Sequence, residues 1–498
     1  MLSTFDFILQ LPEFFLVFSF FYILLFFVHP FFNKQEKNLF FFKLPNFCTL
    51  LIFFFSFGLI LNTPAKEVIT FFDMITINEL LFFFKFILIL FSCCFLVVCT
   101  KNFITNFYIT SEFFCFFILS FLGSLLLFST NNLIIIYLGI ELQSLSFYSL
   151  TCYKRNFTSF SESGIKYFIF GAFSSGLILF GFSLFYGLFG TLNLIDINKL
   201  LIVSFYSKKI IYSFFAIGLI TVGIGFKIVA APFHFWAIEV YDNIYTPVAF
   251  WFSFIGKLSI LFFLFKFYYL VFFSIQVSTK VLFSFIAFFC YFFGTLSVIN
   301  QRKLKRFFII SSLTHTGFIL SIFSVFSKSS IIAFLFYIFG YMIITINIWI
   351  FIMAVNPKYC YNKFFIQNLN QLKYQNYWFI CFTTILLFSL AGLPPLVGFS
   401  VKFISFLTLL ENKFYFLAIS ALIAAIVSSF YYINFIKKLW FFNFDKQRFC
   451  LSNFFYRNCF SKLTSIVFCF NTIFFIFCFL VKKDLFLIFF FIIRFFLA

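Results

Sequence analysis

Charged residues, glycine and proline are scarce in this 498-residue chain. Only 10% of the residues are Asp, Glu, Lys or Arg, 64% are hydrophobic, and there are 18 glycines and 9 prolines. A soluble domain carries about 25% charged residues, so this composition excludes a soluble globular domain. Apolar runs of about 18–25 residues recur instead, and each can cross a bilayer as a helix. The runs lack the alternation of barrel strands, which excludes a β-barrel.

Motifs for metal, haem and dinucleotide binding are missing as well. The 13 cysteines form no C-x-x-C pair, the 3 histidines form no bis-histidine haem pattern, and no G-x-G-x-x-G occurs. Zinc and iron–sulfur sites need closely spaced thiolates. We therefore predict that the cysteines pack as small hydrophobic side chains and that the chain has no dinucleotide site.

Phenylalanine, by contrast, supplies 106 of the residues. Phe, Ile, Lys, Asn and Tyr have AT-rich codons, so we infer an AT-rich genome such as many protist mitochondria have, with Phe filling lipid-facing positions. The first residues, MLSTFDFILQLPEFF, form neither a basic presequence nor a signal peptide. This fits a protein made inside its own organelle, and the predicted location is the mitochondrial inner membrane.

The apolar runs predict an all-α polytopic membrane protein with about fourteen transmembrane helices. The predicted spans lie near residues 12–32, 46–62, 76–99, 111–129, 132–153, 165–188, 210–230, 246–271, 278–299, 306–326, 330–355, 377–410, 414–440 and 463–481. Loops after odd-numbered spans carry roughly twice as many Lys and Arg as loops after even-numbered spans, which predicts that residues 302–306 and 437–448 face the matrix. The net charge of +20 thus reflects membrane orientation, and no nucleic acid is expected as a partner.

Four charged residues are predicted to lie deep in the membrane: Glu141, Lys227, Lys257 and Lys402. Charges at that depth cost several kcal/mol unless they are paired or hydrated, so a polar pathway is the functional interpretation and structural ion pairs are the alternative. Such lysines serve as proton sites only if they release a proton near neutral pH, and a nearby Glu141 could switch their proton affinity. Lys166 and Lys266 lie near span ends and are predicted to reach the interface.

Prolines are expected to break two of the spans. Pro232 follows Lys227 in the seventh span, and Pro394 and Pro395 precede Lys402 in the twelfth. Two matching breaks indicate inverted five-helix repeats around an ion pathway, whereas the alternative is a packing kink at each proline. The predicted segments are three N-terminal helices, the first repeat, the second repeat and a C-terminal loop with helix 14, at residues 1–110, 111–271, 278–440 and 441–498.

Two histidines are candidates for proton transfer. His315 lies in the polar stretch RFFIISSLTHTGFIL, at the repeat position that Glu141 has in the first repeat. Histidine titrates near neutral pH and can pass a proton, although a hydrogen-bonded core residue is the alternative. His234 lies near Glu239 and Asp242 in a predicted matrix-side loop, where it is either a pathway entrance or only a loop residue.

Five ordered runs resemble the antiporter-like membrane subunits of respiratory complex I: YLGIELQSLSFYSL, KYFIFGAFSSGLILFGFSLFYGLFGTLNL, FKIVAAPFHFWAIEVYDNIYTPVAFWFSFIGKLSILF, SSLTHTGFIL and LAGLPPLVGFSVKF. ELQSLS and FGAFSSG are most similar to the subunit 2 branch of that family. The resemblance implies that Glu141 is the essential glutamate of the fifth helix and Lys227 the lysine of the broken seventh. It likewise implies that Lys257 connects the two halves, that His315 lies on the central axis, and that Lys402 is the basic residue of the broken twelfth helix.

The resemblance implies a proton-translocating membrane-arm core subunit of NADH:ubiquinone oxidoreductase, driven by quinone reduction elsewhere in the complex. Its expected partners are other membrane-arm subunits, including antiporter-like ones, and membrane lipids. It implies no cofactor in this chain, with NADH, FMN, iron–sulfur clusters and ubiquinone bound by other subunits. Two alternatives remain open, namely an Mrp-type cation/proton antiporter subunit and a structural membrane subunit without an active proton path.

Overall fold

The computed structural model describes most of the chain, and almost all of the described residues are helical. The described residues are 4–28, 39–63, 68–71, 74–105, 111–154, 157–203, 209–271, 276–355, 366, 377–441, 462–480 and 489. The predicted C-terminal loop and the residues after helix 14 lie outside this part of the chain, apart from Phe489.

The helices up to residue 227 are α1 (Thr4–Leu9), α2 (Leu11–Val28), α3 (Leu39–Leu61), α4 (Glu79–Thr105), α5 (Ser111–Ser129), α6 (Leu133–Thr151), α7 (Thr158–Phe189), α8 (Leu194–Val203) and α9 (Lys209–Lys227). The helices that follow are α10 (Phe235–Asn243), α11 (Thr246–Trp251), α12 (Lys257–Val271), α13 (Gln276–Ile299), α14 (Leu304–Phe323), α15 (Lys328–Val355), α16 (Tyr377–Ala391), α17 (Val397–Glu411), α18 (Tyr415–Phe441) and α19 (Lys462–Leu480).

The prediction of an all-α membrane protein is confirmed. Among the described residues, 11 helices are long and apolar enough to cross a membrane, and three shorter apolar helices lie at the first, twelfth and fourteenth predicted spans. Every predicted span therefore has a helical counterpart. The described residues outside the helices include one small antiparallel ladder, which pairs strand β1 (Val68–Thr70) with strand β2 (Ile75–Ile77) before α4.

Both predicted helix breaks are present. The seventh span divides into α9, which ends at Lys227, and α10, which begins at Phe235. Pro232 lies between them, but the helix already ends ahead of it, so the break begins earlier than the predicted boundary at residue 230. The twelfth span divides into α16 and α17 around the two prolines, and Gly392 takes the left-handed conformation there, with φ of 86°.

The eighth span contains a different irregularity. A π-helical turn (Phe252–Gly256) separates α11 from α12, and Lys257 is the first residue after it. Single π-helical turns inside α-helices occur often at functional sites. The pattern of apolar residues did not predict this turn, which contains no proline.

The described residues fall into two compact units. The first comprises Met1–Ile228 and Trp251–Ile275, and the second comprises Val229–Phe250 and Gln276–Ile493. The segment after the break in the seventh span therefore belongs to the second unit. The predicted repeats, at residues 111–271 and 278–440, rest on each helix of one having an equivalent helix in the other. A division into compact units does not test that equivalence, so the two repeats stay a prediction.

One end of the first unit is built from turns that bond to each other. Asn131 donates its N–H to the carbonyl of Met74 at 2.8 Å, and its carbonyl accepts the N–H of Leu194 at 3.0 Å. The Thr76 hydroxyl donates to the side-chain oxygen of Asn131 at 3.3 Å. This turn structure closes the end of the unit at which α5 stops and α4 starts.

Candidate functional site

Glu141 and Lys227 lie in the first unit, in the middle of α6 and at the last residue of α9. Both side chains are half-buried, and the Ser144 hydroxyl donates to a Glu141 carboxylate oxygen at 3.1 Å. The charge of Glu141 acts on Lys227. As the structure describes these two residues, however, they form no ion pair within 4.0 Å. Direct proton exchange between them therefore needs an intervening group.

Helix α7 packs against both α6 and α9 and holds these two helices in place. The two helices approach closely at Gly223, one turn before Lys227, where a Cβ atom would come within 2.8 Å of the Ser174 carbonyl oxygen. Only a glycine allows the two backbones to approach so closely. The position of Lys227 thus depends on a small residue that the sequence analysis did not single out.

Lys257 begins α12 and is only 4% exposed. Nearby, Gln143 on α6 and Ser259 on α12 form a reciprocal pair, in which the amide donates to the hydroxyl at 2.9 Å and the hydroxyl donates back at 3.1 Å. Both side chains are buried. This pair fixes α6, which carries Glu141, against α12, which carries Lys257.

Lys402 lies in the second unit, buried on α17 one turn beyond the break. Its ammonium group donates to the carbonyl of Leu390 at 2.7 Å and to the hydroxyl of Ser428 at 3.2 Å, with the Ala391 carbonyl at 3.4 Å. The two carbonyls belong to the end of α16, where a helix presents its partial negative charge. Lys402 therefore faces the protein interior, among polar partners.

His315 is buried on α14 in the same unit. Its Nδ1 lies 2.9 Å from the hydroxyl of Tyr337 on α15, and its ring contacts that of Tyr341 with a centroid distance of 5.5 Å. The hydroxyl groups of the surrounding polar stretch each donate to a carbonyl of α14 one turn earlier: Ser311, Ser312, Thr314 and Thr316. The partner of His315 therefore comes from another helix.

His234 is buried in the turn between α9 and α10, where it is the residue that caps the start of α10. Its ring contacts those of Phe235 and Phe293 at centroid distances of 4.3 and 5.5 Å. The unwound backbone beside it also has a partner, because the N–H of Ala231 donates to the thiol sulfur of Cys290 at 3.1 Å. One cysteine thus supports the helix break and is more than a small hydrophobic residue.

Asp242, at the end of α10, is held by basic residues at the start of α14. One carboxylate oxygen accepts hydrogen bonds from Lys303 and from Arg306, both at 2.8 Å. Lys305 donates to the carbonyl of Ile244 at 2.8 Å. The sequence placed these residues in two matrix-side loops but did not pair them.

The expectation that Lys266 reaches the interface is wrong. Lys266 is 2% exposed, and its ammonium group donates to the carbonyls of Phe128 and Thr130 at 3.2 and 2.7 Å. A terminal position in a span predicts exposure only if nothing covers the helix end, and here the turn after α5 covers it. The Lys166 side chain is 36% exposed and forms an ion pair with Glu162 on its own helix.

The arrangement in each unit can hold and release protons. The first unit places a carboxylate within the electrostatic reach of a lysine, and the second places a lysine among three oxygen acceptors and a histidine against a tyrosine hydroxyl. In the described part of the chain, no three His, Cys, Asp or Glu side chains gather where a metal ion could bind. The proton pathway assigned to Glu141, Lys227, Lys257, His315 and Lys402 stays a prediction.

Solved structures share the fold over most of the chain. A chain of respiratory complex I from Thermus thermophilus matches with a TM-score of 0.76 at 21% identity, covering 95% of this chain and 98% of that one. A chain of the Mrp complex from Dietzia matches with a TM-score of 0.76 at 15% identity, covering 89% of this chain and 81% of that one. At these identities the similarity establishes the fold alone.

Sequence relatives are closer. The NADH-quinone oxidoreductase subunit N of Pelagibacter ubique is 33% identical over 392 residues, which are 78% of this chain and 81% of the relative. The NADH-ubiquinone oxidoreductase chain 2 of Marchantia polymorpha is 34% identical over 379 residues, 74% of this chain and 75% of the relative. Residues 130–428, which include all five candidate site residues, match the family described as NADH:quinone oxidoreductase/Mrp antiporter, TM. The chain therefore belongs to the NADH:quinone oxidoreductase/Mrp antiporter transmembrane family.

Proposed function

We propose that this chain is a proton-translocating membrane-arm subunit of an NADH:quinone oxidoreductase. The observation that carries the proposal is the placement of ionisable side chains inside an otherwise apolar helical protein, next to both helix breaks. Lys227 ends α9 at one break, and Lys402 donates to the carbonyls that end α16 at the other. Charges at such depth are costly, which favours a functional role for them.

In the first unit, Glu141 and Lys227 would exchange the proton. A charged Glu141 favours the protonated lysine, and a neutral or displaced Glu141 withdraws that support, so the lysine releases its proton more readily. The absence of a direct ion pair between these two described residues leaves the lysine free to exchange with a bridging group. Ser144, which donates to Glu141, orients the carboxylate.

In the second unit, Lys402 and His315 would take the corresponding roles. Lys402 holds its proton against main-chain oxygens and Ser428, so release requires these hydrogen bonds to loosen at the end of α16. His315 can pass a proton to or from the Tyr337 hydroxyl, because the two groups are already within hydrogen-bond distance.

The chain would act without a cofactor of its own, while NADH, FMN, iron–sulfur clusters and ubiquinone bind to other subunits. Quinone reduction elsewhere would drive proton movement through this subunit. Its partners would be other antiporter-like membrane-arm subunits and lipids. The relatives named chain 2 from Marchantia polymorpha and Oenothera berteroana support a mitochondrial inner membrane, and the Phe-rich composition supports an AT-rich organelle genome.

An Mrp-type antiporter subunit is the second candidate. The Mrp complex of Dietzia supports it through the fold alone, at 15% identity. The named relatives at 33% and 34% identity are NADH:quinone oxidoreductase subunits, which favours the first candidate. Co-purification of this chain with NADH-oxidising activity would decide between the two.

The test is proton pumping by the intact complex in proteoliposomes. We expect Glu141→Gln and Lys227→Met each to lower pumping coupled to quinone reduction strongly, because each removes one partner of the exchange. NADH oxidation by an artificial acceptor upstream of quinone should stay nearly normal. Lys166→Met is the matched control, since the Lys166 side chain is 36% exposed and forms an ion pair with Glu162 one turn away on its own helix.

Full pumping by both variants, in complexes shown to be assembled, would contradict the proposed role. It would favour the interpretation of the chain as a structural membrane subunit. Normal pumping by the Lys166→Met control together with reduced pumping by the two test variants would support the proposal.

A further inference from the structure

A second group of buried charges lies in the first unit, outside the candidate site. Glu13 on α2 and Lys85 on α4 form an ion pair at 2.5 Å, and each side chain is only 10% exposed. Lys266 on α12 completes the group, since Phe84, next to Lys85, contacts Phe262, one turn before Lys266, at a ring-centroid distance of 4.4 Å. Glu13 and Lys85 lie outside residues 130–428, which match the family, so membership of the family assigns no role to this pair.

Lys266 is held without being neutralised. Its ammonium group donates to the carbonyls of Phe128 and Thr130, at the end of α5. A helix end offers partial negative charge, which stabilises a cation but leaves it ionised. Within the described residues, Lys266 forms no ion pair with a carboxylate. Its ammonium group is therefore held in place by hydrogen bonds to main-chain carbonyls, which can break when the group gives up a proton.

Glu13 has capacity to take a proton. One carboxylate oxygen accepts from Lys85, while the other, Oε2, is buried and has no hydrogen-bond partner among the described residues. An unpartnered carboxylate oxygen away from water is costly, and adding a proton to the group relieves that cost. The group as a whole carries one carboxylate and two ammonium groups, and this net positive charge disfavours binding of an alkali-metal cation.

The elements that carry these residues meet at one end of the unit. Glu13 and Lys85 lie in the first two turns of α2 and α4, and Lys266 lies in the last turns of α12, beside the end of α5. In a chain that crosses the membrane back and forth, the starts of odd-numbered spans and the ends of even-numbered spans lie on the same side. α2 and α4 belong to the first and third spans, and α5 and α12 belong to the fourth and eighth. The loop charges predict that this side is opposite to the matrix.

We propose that Glu13, Lys85 and Lys266 form a second proton-holding site of this chain, at the end of the first unit where α2 and α4 begin. This inference rests on the proposed proton-translocating function. In the transfer, an N–H bond of Lys85 breaks as an O–H bond forms on Glu13. An N–H bond of Lys266 then breaks as Lys85 is reprotonated, so the net charge of the group does not change and Glu13 holds the proton for release.

The decisive variant is Lys266→Arg, measured in the assembled complex in proteoliposomes. Arginine keeps the positive charge and the hydrogen-bond donors but does not release a proton at accessible pH. We expect pumping coupled to quinone reduction to fall while assembly and NADH oxidation by an upstream acceptor are retained. Lys166→Arg is the matched control on an exposed helix face and should pump normally.

A second variant covers the case in which Lys266→Arg does not assemble. Glu13→Gln with Lys85→Met removes both charges together, which often leaves stability nearly unchanged, whereas removing one alone is destabilising. We expect the double variant to assemble and to lose pumping because the carboxylate that takes the proton is gone.

The outcomes separate this inference from the proposed function. Normal pumping by an assembled Lys266→Arg or Glu13→Gln/Lys85→Met complex would overturn the second site, and loss of pumping by Glu141→Gln in the same preparation would leave the proposed function intact. Failure of both test variants to assemble, with the Lys166→Arg control intact, would show a structural role and would also overturn the second site. Normal pumping by Glu141→Gln as well would contradict the proposed function itself.

Discussion

The pair formed by Gln143 and Ser259 joins two helices that carry candidate proton sites. Their side chains exchange two hydrogen bonds in a fully buried place, so neither group can turn to water if its partner is removed. A buried amide left without a partner costs about 1–3 kcal/mol. The pair therefore positions Glu141 and Lys257 relative to each other through a contact that neither candidate residue makes itself.

We predict that Ser259→Ala lowers the thermal midpoint of the purified complex and that Gln143→Leu combined with Ser259→Ala recovers part of the loss. The single change leaves the buried Gln143 amide without its hydrogen-bond partner, whereas the double change removes both polar groups. The measurement is the temperature of half-inactivation of the assembled complex. Ser183→Ala is the control, because Ser183 is exposed and bonds only within its own helix; an equal effect of the control would contradict the prediction.

The charged residues could be found from the sequence because charge is rare inside apolar spans. Glu141 and the deep lysines stand out for that reason. Lys257 and Lys402 are buried in the structure, as a position inside a span predicts. Their partners could not be found in the same way, because Ser428, Tyr337 and two main-chain carbonyls lie on other helices and look ordinary in the sequence. Lys266 was misplaced for a related reason, since the turn that covers it is distant along the chain.

At the scale of the helix, both proline breaks were predictable, because proline cannot continue a helix. The residue at which each helix ends was not, since α9 ends ahead of Pro232. The π-helical turn before Lys257 also has no sequence signal of its own. Such local departures depend on packing against neighbouring helices, which a one-dimensional pattern does not contain.

The break in the twelfth span depends on a close approach of two backbones. A Cβ atom added at Gly398, in the first turn of α17, would overlap the carbonyl group of Ser389 on α16. Gly398 is therefore the residue that lets α17 start beside the end of α16. Lys402 follows one turn later and donates to the carbonyls at that same helix end.

We predict that Gly398→Ala reduces both the stability of the complex and its proton pumping. The added methyl group must push α17 away from α16, and overpacking of this kind costs about 1–3 kcal/mol or more. The measurements are the amount of assembled complex and its pumping in proteoliposomes. Gly58→Ala is the control, because nothing lies within 4 Å of the added Cβ atom there. Equal behaviour of the two variants would contradict the prediction.

At the scale of the molecule, the alternation of spans agrees with contacts inside each unit. In the first unit, the start of α2 pairs with the start of α4, and the end of α12 binds the end of α5. Asn131, just after α5, bonds to Met74, just before α4. In the second, Asp242 at the end of α10 binds Lys303 and Arg306 at the start of α14. These contacts require the helix ends that they join to lie on the same side of the membrane. The predicted numbering of the spans places them on the same side. The loop charges alone assign which side that is, and this assignment stays a prediction.

We predict that Arg302→Cys gains labelling by an impermeant thiol reagent from the matrix side only, and Lys413→Cys from the opposite side only. Both residues are exposed in the second unit, at turns after the ninth and twelfth spans. The measurement is labelling beyond that of the parent chain, which has 13 cysteines of its own. Labelling of Arg302→Cys from the intermembrane space would refute the fourteen-span topology.

Two of the buried lysines are bound by oxygens of the main chain. Lys402 donates to carbonyls at the end of α16, and Lys266 donates to carbonyls at the end of α5. Every residue type supplies the same carbonyl, so exchange of the residues that carry these oxygens does not remove the acceptor. In a chain in which 106 of 498 positions are phenylalanine, such a site needs one side chain preserved rather than two. Selection then needs to preserve only the lysine. The helix end supplies the carbonyl oxygens that accept its hydrogen bonds, whichever side chains stand there, as long as the helix still forms.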